Sequence, residues 1–152
     1  MPPKPDRISV SLRQAVCDLA QNCCEYCVCP AEYSPDSFTI DHIQPRQSGG
    51  LSVLENLAWA CNGCNGYKHT RTRYVDSETQ EEVTLFNPRQ ENWDHHFTWN
   101  SDYTKINGRS PTGRATIEAL RLNRSGAMNL RRLLSNAQLY PPTYKPLQAI
   151  DR

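Results

Sequence analysis

The chain has 152 residues, a formal net charge of +1 and 22% charged residues. It is long enough for one modest hydrophobic core, and its charge gives no evidence of nucleic-acid binding through a generally basic surface. No apolar run approaches the roughly 18 to 20 residues that a bilayer span needs, and residues 1–13 lack the apolar core of a signal peptide. We therefore expect a soluble, cytoplasmic protein.

Helical periodicity follows a proline-rich lead-in at residues 1–10. Ser11 is the predicted N-cap of a helix that ends near Asn22. After a cysteine-rich segment, the apolar and β-branched residues of FTIDHI, at 38–43, predict a partly buried strand. The glycines of SGG, at 48–50, predict a turn that folds the chain back.

The second half of the chain is predicted to add a strand and two helices. The segment EEVTLFNPR indicates the strand, and Asn107-Gly108 indicates a hairpin turn. Thr112 is the predicted N-cap of a helix that runs to about residue 123, and a second helix is predicted around residues 127–137. The proline-rich tail, residues 141–152, is predicted to be extended or disordered.

Two residue classes in this half allow two interpretations each. The aromatic side chains of Trp93, Phe97 and Trp99 are predicted to pack in a core rather than to stack on bases. The arginines are either a solvated helix face or a phosphate-binding surface, and they lie at positions Arg109, Arg114, Arg121, Arg124, Arg131 and Arg132.

Two C-x2-C pairs dominate the cysteine pattern. Cys24 with Cys27 and Cys61 with Cys64 suit a tetrahedral four-cysteine zinc site, because each turn presents two thiolates to one ion. A site with four thiolates has no open coordination position, so this zinc is predicted to hold the fold together rather than to do chemistry. The first pair has an ambiguous register, since neighbouring cysteines could substitute in it, namely Cys23 and Cys29.

Polar residues lie between and just after the cysteine pairs. Asn65 and His69 are four residues apart, so on a helix they share one face, as two ligands of one metal must. Asp41 completes a set of carboxylate, amide oxygen and imidazole that leaves positions for water and substrate. His42 can accept a proton near neutral pH, and Asn56 can fix its orientation. Each residue alone has an ordinary structural explanation, but together they indicate a phosphate-ester hydrolase.

The motifs CEYC, DHIQPRQSGG, ENLAWAC and CNGCNGYKH resemble those of the HNH endonucleases in their zinc-knuckle form, over roughly residues 24–73. LFNPR and GRATIEALRLNR are similar to an extension on small stand-alone bacterial and cyanobacterial members. The resemblance implies an α+β fold with a ββα-metal (His-Me finger) core, stapled by the four-cysteine zinc site. A flanking N-terminal helix and a C-terminal strand and helix extension complete the predicted fold.

The resemblance also implies a role for each residue of the site. Asp41 corresponds to the metal-binding first position of the motif, His42 to the general base, and Asn56 to the asparagine that orients the base and steadies the loop. Asn65 corresponds to the second metal ligand, and His69 to a final ligand that some members lack. A neutral amide at position 65 fits magnesium or manganese better than a catalytic zinc ion.

Four segments are predicted on this basis. They are the lead-in at 1–10, a nuclease core at 11–75, the C-terminal extension at 76–140, and the tail at 141–152. The expected substrate is double-stranded DNA, cut with little sequence selectivity, and two copies could act together as a homodimer. The first candidates for phosphate contacts are Arg46, Lys68, Arg71 and Arg73, with Arg89, Arg114 and Arg121 as weaker ones.

Two alternatives stay open from sequence. A non-catalytic zinc module that binds nucleic acid would also explain the cysteines and arginines, although it has no use for Asp41 beside His42. A nuclease that acts mainly on RNA would share the same site, and only a comparison of substrates separates it from a DNA nuclease.

Overall fold

A hairpin of two short strands and the helix after it form the centre of the protein. In the computed structural model, which describes residues 7–142, strand β1 (Thr39–His42) pairs antiparallel with strand β2 (Leu57–Ala60). Helix α2 (Asn62–Lys68) follows β2 after one residue and contacts β1. This ββα order in an α+β protein confirms the predicted fold class.

Helix α1 (Val10–Ala20) covers β2 from one side. Its buried residues, Val16 and Ala20, belong to the main core. The predicted N-cap, Ser11, is wrong by two residues, because the Ser9 side chain accepts the hydrogen bond from the Leu12 N–H at 3.1 Å. Residues 1–6 and 143–152 lie outside the described part of the chain, and so does most of the predicted lead-in and tail.

The C-terminal extension adds two further hairpins and three helices. The first of these hairpins begins at residue 73, so its first strand lies in the segment that was predicted as the nuclease core. The elements are β3 (Arg73–Val75), β4 (Glu82–Thr84), α3 (Trp93–His96), β5 (Phe97–Trp99), β6 (Ile106–Gly108), α4 (Pro111–Leu120) and α5 (Ser125–Asn136). Helix α4 lies against α2 and β6, which connects the extension to the centre of the protein. The predicted helix around 127–137 is confirmed as α5.

Two local predictions in this region are wrong. Asn107 and Gly108 do not form a turn, since both lie in β6, where Gly108 pairs with Phe97. A glycine is required there because a Cβ at position 108 would lie 2.7 Å from the Arg114 side chain of α4. Thr112 is not the N-cap of α4 either, because its hydroxyl donates to the Thr84 carbonyl at 2.9 Å; the cap is Ser110.

The aromatic side chains of the extension pack together, as predicted. The ring of Trp93 lies 5.0 Å from that of Phe97 and 5.2 Å from that of Trp99. The indole Nε1 of Trp93 donates to the Tyr26 carbonyl at 2.9 Å, and the Tyr140 hydroxyl donates to the Cys27 carbonyl at 2.9 Å. This cluster therefore holds the first cysteine pair in place. None of the helices in the described residues is both long and apolar enough to cross a bilayer.

Two helical glycines are expected to respond to alanine in opposite ways. At Gly113, in the first turn of α4, a Cβ would lie 2.0 Å from the backbone oxygen of His96, so Gly113→Ala should cost about 1–3 kcal/mol or more of unfolding free energy. At Gly126, in α5, nothing lies within 4 Å of such a Cβ. Gly126→Ala should therefore stabilise the protein by up to about 1 kcal/mol, because alanine is the better helix former. Urea denaturation of both variants tests this prediction. A lower unfolding free energy in both variants, or in neither, would contradict it.

Candidate active site and zinc cluster

The four predicted cysteines converge on one point. The sulfur atoms of Cys24, Cys27, Cys61 and Cys64 all lie within 4.8 Å of one another, and all four residues are buried. This settles the register of the first pair in favour of Cys24 and Cys27. Among residues 7–142, no other group of three or more His, Cys, Asp or Glu side chains converges in this way. Four thiolates in this arrangement fit a tetrahedral zinc site.

Backbone and side-chain donors support the sulfur atoms. The Cys27 N–H points to the Cys24 sulfur at 3.5 Å, and the Cys64 N–H points to the Cys61 sulfur at 3.4 Å. Cys61 is also the N-cap of α2, so the second cysteine pair starts the helix of the ββα core. Burial raises the pKa of the Cys24 thiol well above its usual value, and a bound metal cation would favour the thiolate.

Arg124 supplies a positive charge beside the cluster that sequence reasoning did not single out. Its guanidinium lies 3.5 Å from the Cys61 sulfur and 3.7 Å from the Cys64 sulfur. Burial acts to lower the pKa of Arg124, but the charges of the nearby thiolates outweigh it and raise the pKa. Because four thiolates around one zinc ion carry excess negative charge, this contact from the C-terminal extension stabilises the cluster electrostatically.

Asp41 is buried in a network of hydrogen bonds, with only 2% of its surface exposed. Its carboxylate accepts a hydrogen bond from the Tyr26 hydroxyl at 2.6 Å, and the Lys68 ammonium lies 3.2 and 3.1 Å from its two oxygens. Burial raises the pKa of Asp41, although Lys68 and Tyr26 act to lower it. The Tyr26 hydroxyl stays a donor at neutral pH, because burial and then the charge of Asp41 raise its pKa.

Lys68 is therefore not an exposed phosphate contact, and this prediction is wrong. Its side chain is 2% exposed, and the ammonium also donates to the carbonyls of His42 and Ile43, at 3.4 and 3.3 Å. Asp41 offsets its charge inside the protein. The contact explains the burial of an otherwise costly lysine, since buried charges need a partner.

The contact also shows which face of α2 points at β1. Asn65 lies one turn before Lys68 on this helix, so the two side chains project from the same face. His69 does not share that face, because α2 ends at Lys68 and His69 has a left-handed φ of 50° with an exposed side chain. The chain leaves the helix there to enter β3, and the Arg71 N–H bonds to the Lys68 carbonyl at 2.9 Å. The prediction that Asn65 and His69 project from one face of a helix is thus wrong.

His42 has a different environment from its neighbour. It is half-buried, whereas Asp41 is buried, as expected for adjacent residues of a strand. The Nε2 of His42 lies 2.8 Å from the Ser52 hydroxyl, and the Arg46 Nε–H donates to the same nitrogen at 3.2 Å. A guanidinium nitrogen of Arg46 also lies 3.4 Å from the Ser52 oxygen. Sequence reasoning missed Ser52, which no motif distinguishes from other loop serines.

Asn56 clamps the loop between the strands. Its Oδ1 accepts from the Gln44 N–H at 2.8 Å, and its Nδ2 donates to the carbonyls of Gln44 and Leu51, at 3.0 and 2.9 Å. The predicted role in steadying the loop fits these contacts. The predicted direct hold on His42 does not, since both N–H donors of Asn56 are committed to carbonyls. Gly50 belongs to the same clamp, because a Cβ there would lie 1.7 Å from the Gln44 oxygen.

The remaining predicted phosphate contacts differ in availability. Arg46 and Arg71 are both exposed, and Arg71 donates to the Tyr67 carbonyl at 2.6 Å. Arg73 is paired with Glu82 at 3.5 Å on the surface. The weaker candidates have structural roles: Arg89 pairs with Glu25 in the interior, Arg114 pairs with Asp76, and Arg121 stacks over the Tyr67 ring.

The matched segment of a known family covers this whole site. Residues 24–71 match the family model described as HNH endonuclease. Residues 24–71, about a third of the chain, are therefore similar to an HNH endonuclease domain. The HNH segment includes both cysteine pairs and Asp41, His42, Asn56 and Asn65, so a nuclease-type function is supported. Neither a curated protein nor a solved structure shows significant similarity to the chain.

Proposed function

We propose that the HNH domain is a metal-dependent endonuclease that hydrolyses phosphodiester bonds of DNA, with His42 as the general base. The observation that carries this proposal is the half-buried His42 imidazole beside the buried Asp41 carboxylate, opposite the helix that bears Asn65. A module that only binds nucleic acid needs neither the imidazole nor the carboxylate at this point. The family match supports the same chemistry.

The residues fit a hard divalent ion such as magnesium or manganese. Asp41 and Asn65 would hold it, because a carboxylate and an amide oxygen are the ligands that such ions prefer. A carboxylate offers about four lone-pair positions, so Asp41 can keep its bonds to Tyr26 and Lys68 and still bind an ion. The resemblance keeps His69, just beyond the end of α2, as a candidate third ligand in this proposal. When bound, the ion stabilises the negative charge that develops on the phosphate.

The side chains of the site divide the remaining tasks. His42 takes a proton from the attacking water, whose oxygen forms a bond to phosphorus while the bond from phosphorus to the leaving oxygen breaks. Lys68 and Tyr26 hold the Asp41 carboxylate at a fixed place, and Asn56 holds the loop that carries Ser52. Arg46 and Arg71 are the exposed cations that would bind flanking phosphates. As the resemblance implies, the products would carry a 5′-phosphate and a 3′-hydroxyl.

Loss of the His42 imidazole is expected to reduce cleavage by at least about 100-fold, the lower end of what a general base contributes. The measurement is conversion of supercoiled plasmid to nicked and linear forms in magnesium or manganese. His95→Ala is the matched control, because His95 is an exposed histidine outside the site. A His42→Ala variant that cleaves at the wild-type rate would contradict the proposal. An RNA substrate run in parallel identifies the preferred nucleic acid, and DNA binding without any cleavage would favour the non-catalytic module.

A further inference from the structure

We propose that Ser52 is the positioning residue for His42, and that Arg46 holds the imidazole in a resting state until a substrate phosphate takes its guanidinium. This inference rests on the proposed function, because it concerns the base of that reaction. In this proposal, Ser52 and Arg46, both in the loop after β1, act on the Nε2 atom of His42.

The donor chemistry of Arg46 carries the first step. A guanidinium only donates hydrogen bonds, so the contact of 3.2 Å from the Arg46 Nε–H requires a lone pair on the Nε2 of His42. In the neutral imidazole the proton then sits on Nδ1. Arg46 therefore selects the tautomer whose Nδ1 cannot accept a proton from water.

The contact with Ser52 is also compatible with the opposite tautomer. Its hydroxyl lies 2.8 Å from the same Nε2 and can accept a hydrogen bond from an Nε2–H. When Nε2 carries the proton and donates it to the hydroxyl, Nδ1 carries the lone pair that proton transfer from water requires. Ser52 is thus able to hold the imidazole in the catalytic orientation and tautomer.

The Asn56 clamp places Ser52. The Asn56 amide holds the Leu51 carbonyl at 2.9 Å, and Leu51 is the residue directly before Ser52. The same amide holds Gln44, two residues after His42, through two hydrogen bonds. Asn56 therefore acts on the imidazole through the backbone on either side of the contact between His42 and Ser52.

Arg46 is suited to change partners. It is exposed and lies in the single turn Arg46–Ser48, and its two contacts here, at 3.2 and 3.4 Å, are longer than charge-assisted hydrogen bonds. A phosphate offers a guanidinium paired, charge-assisted hydrogen bonds, which are stronger than a bond to a neutral imidazole. Substrate binding would thus remove the group that blocks the catalytic tautomer.

Cleavage kinetics test the role of Ser52. Ser52→Ala should lower kcat by about 10- to 100-fold, the usual cost of losing a group that orients a functional histidine, while KM stays within about twofold. Ser52→Thr should restore most of the rate because it keeps the hydroxyl, and Ser48→Ala is the control in the same loop. An unchanged kcat for Ser52→Ala, or a threonine variant no better than alanine, would overturn this role.

Long-range proton–nitrogen NMR of the His42 ring tests the role of Arg46 without relying on turnover. In the free protein at neutral pH, the proton should sit on Nδ1, and addition of a short DNA duplex without magnesium should move it to Nε2. Arg46→Ala should show the Nε2–H form without DNA, whereas Arg132→Gln, on the surface of α5, should behave as wild type. One tautomer in all these samples would overturn the inference. Absence of cleavage by the wild type would instead refute the proposed function. The NMR result would still test whether Arg46 controls the tautomer of His42.

Discussion

Replacing Cys64 by serine is expected to abolish the folded state of the chain at room temperature. The four sulfur atoms of the cluster are buried within 4.8 Å of one another, and without a metal ion they cannot all be ionised. Binding of a structural zinc ion provides about 10–16 kcal/mol in small zinc domains, more than the whole stability of a typical protein. Zinc content per chain, together with circular dichroism, measures the result.

Cys17 provides the control for this experiment. It lies on α1 and outside the cluster, and it is half-buried. Cys17→Ser should therefore keep one zinc per chain and the native spectrum. A Cys64→Ser protein that is folded without zinc would show that the cluster is not structural.

Replacing Arg89 by methionine is expected to cost about 3–5 kcal/mol of unfolding free energy, because it leaves a buried charge without its ionic partner. Glu25, which pairs with Arg89, is 1% exposed and lies between Cys24 and Cys27 of the first cysteine pair. Its other oxygen accepts a hydrogen bond from the Trp59 N–H of β2 at 2.8 Å, so the carboxylate cannot move to solvent without losing this bond. Guanidinium denaturation of zinc-loaded protein gives the value.

A surface ion pair offers the matched comparison. Arg73 and Glu82 lie 3.5 Å apart, with 52% and 61% of their side chains exposed, and Arg73→Met should cost less than about 1 kcal/mol. The double variant Glu25→Gln with Arg89→Met should recover part of the loss, since no full charge then stays buried. Equal costs for Arg89→Met and Arg73→Met would contradict the prediction.

The parts of the site that follow from local sequence were predictable. The spacing of the cysteines identified the cluster, and the alternation in FTIDHI placed Asp41 and His42 on opposite faces of β1. Lys68 could not be predicted, since lysine is usually exposed and its partner Asp41 lies 27 residues earlier in the chain. The pairing of Glu25 with Arg89 is equally non-local, and no periodicity signals it.

The helix boundaries show a second kind of limit. Ser11 and Thr112 are good capping residues by type, yet Ser9 and Ser110 are the caps, because the hydroxyl that reaches the free N–H groups depends on where the backbone turns. The end of α2 at Lys68 decides the position of His69 in the same way. Residue type alone does not contain that information.

The contacts of the extension with the first cysteine pair imply that the matched segment and the cooperative folding unit have different boundaries. The HNH segment ends at residue 71, but Tyr26, Glu25 and Cys27 receive hydrogen bonds or an ionic partner from residues beyond it. A fragment cut at that boundary would retain every proposed catalytic residue and lose the packing that keeps the cysteine turn in shape. Trp93 bonds to the backbone of Tyr26, whose hydroxyl in turn holds Asp41, so a side chain outside the matched segment supports the candidate site.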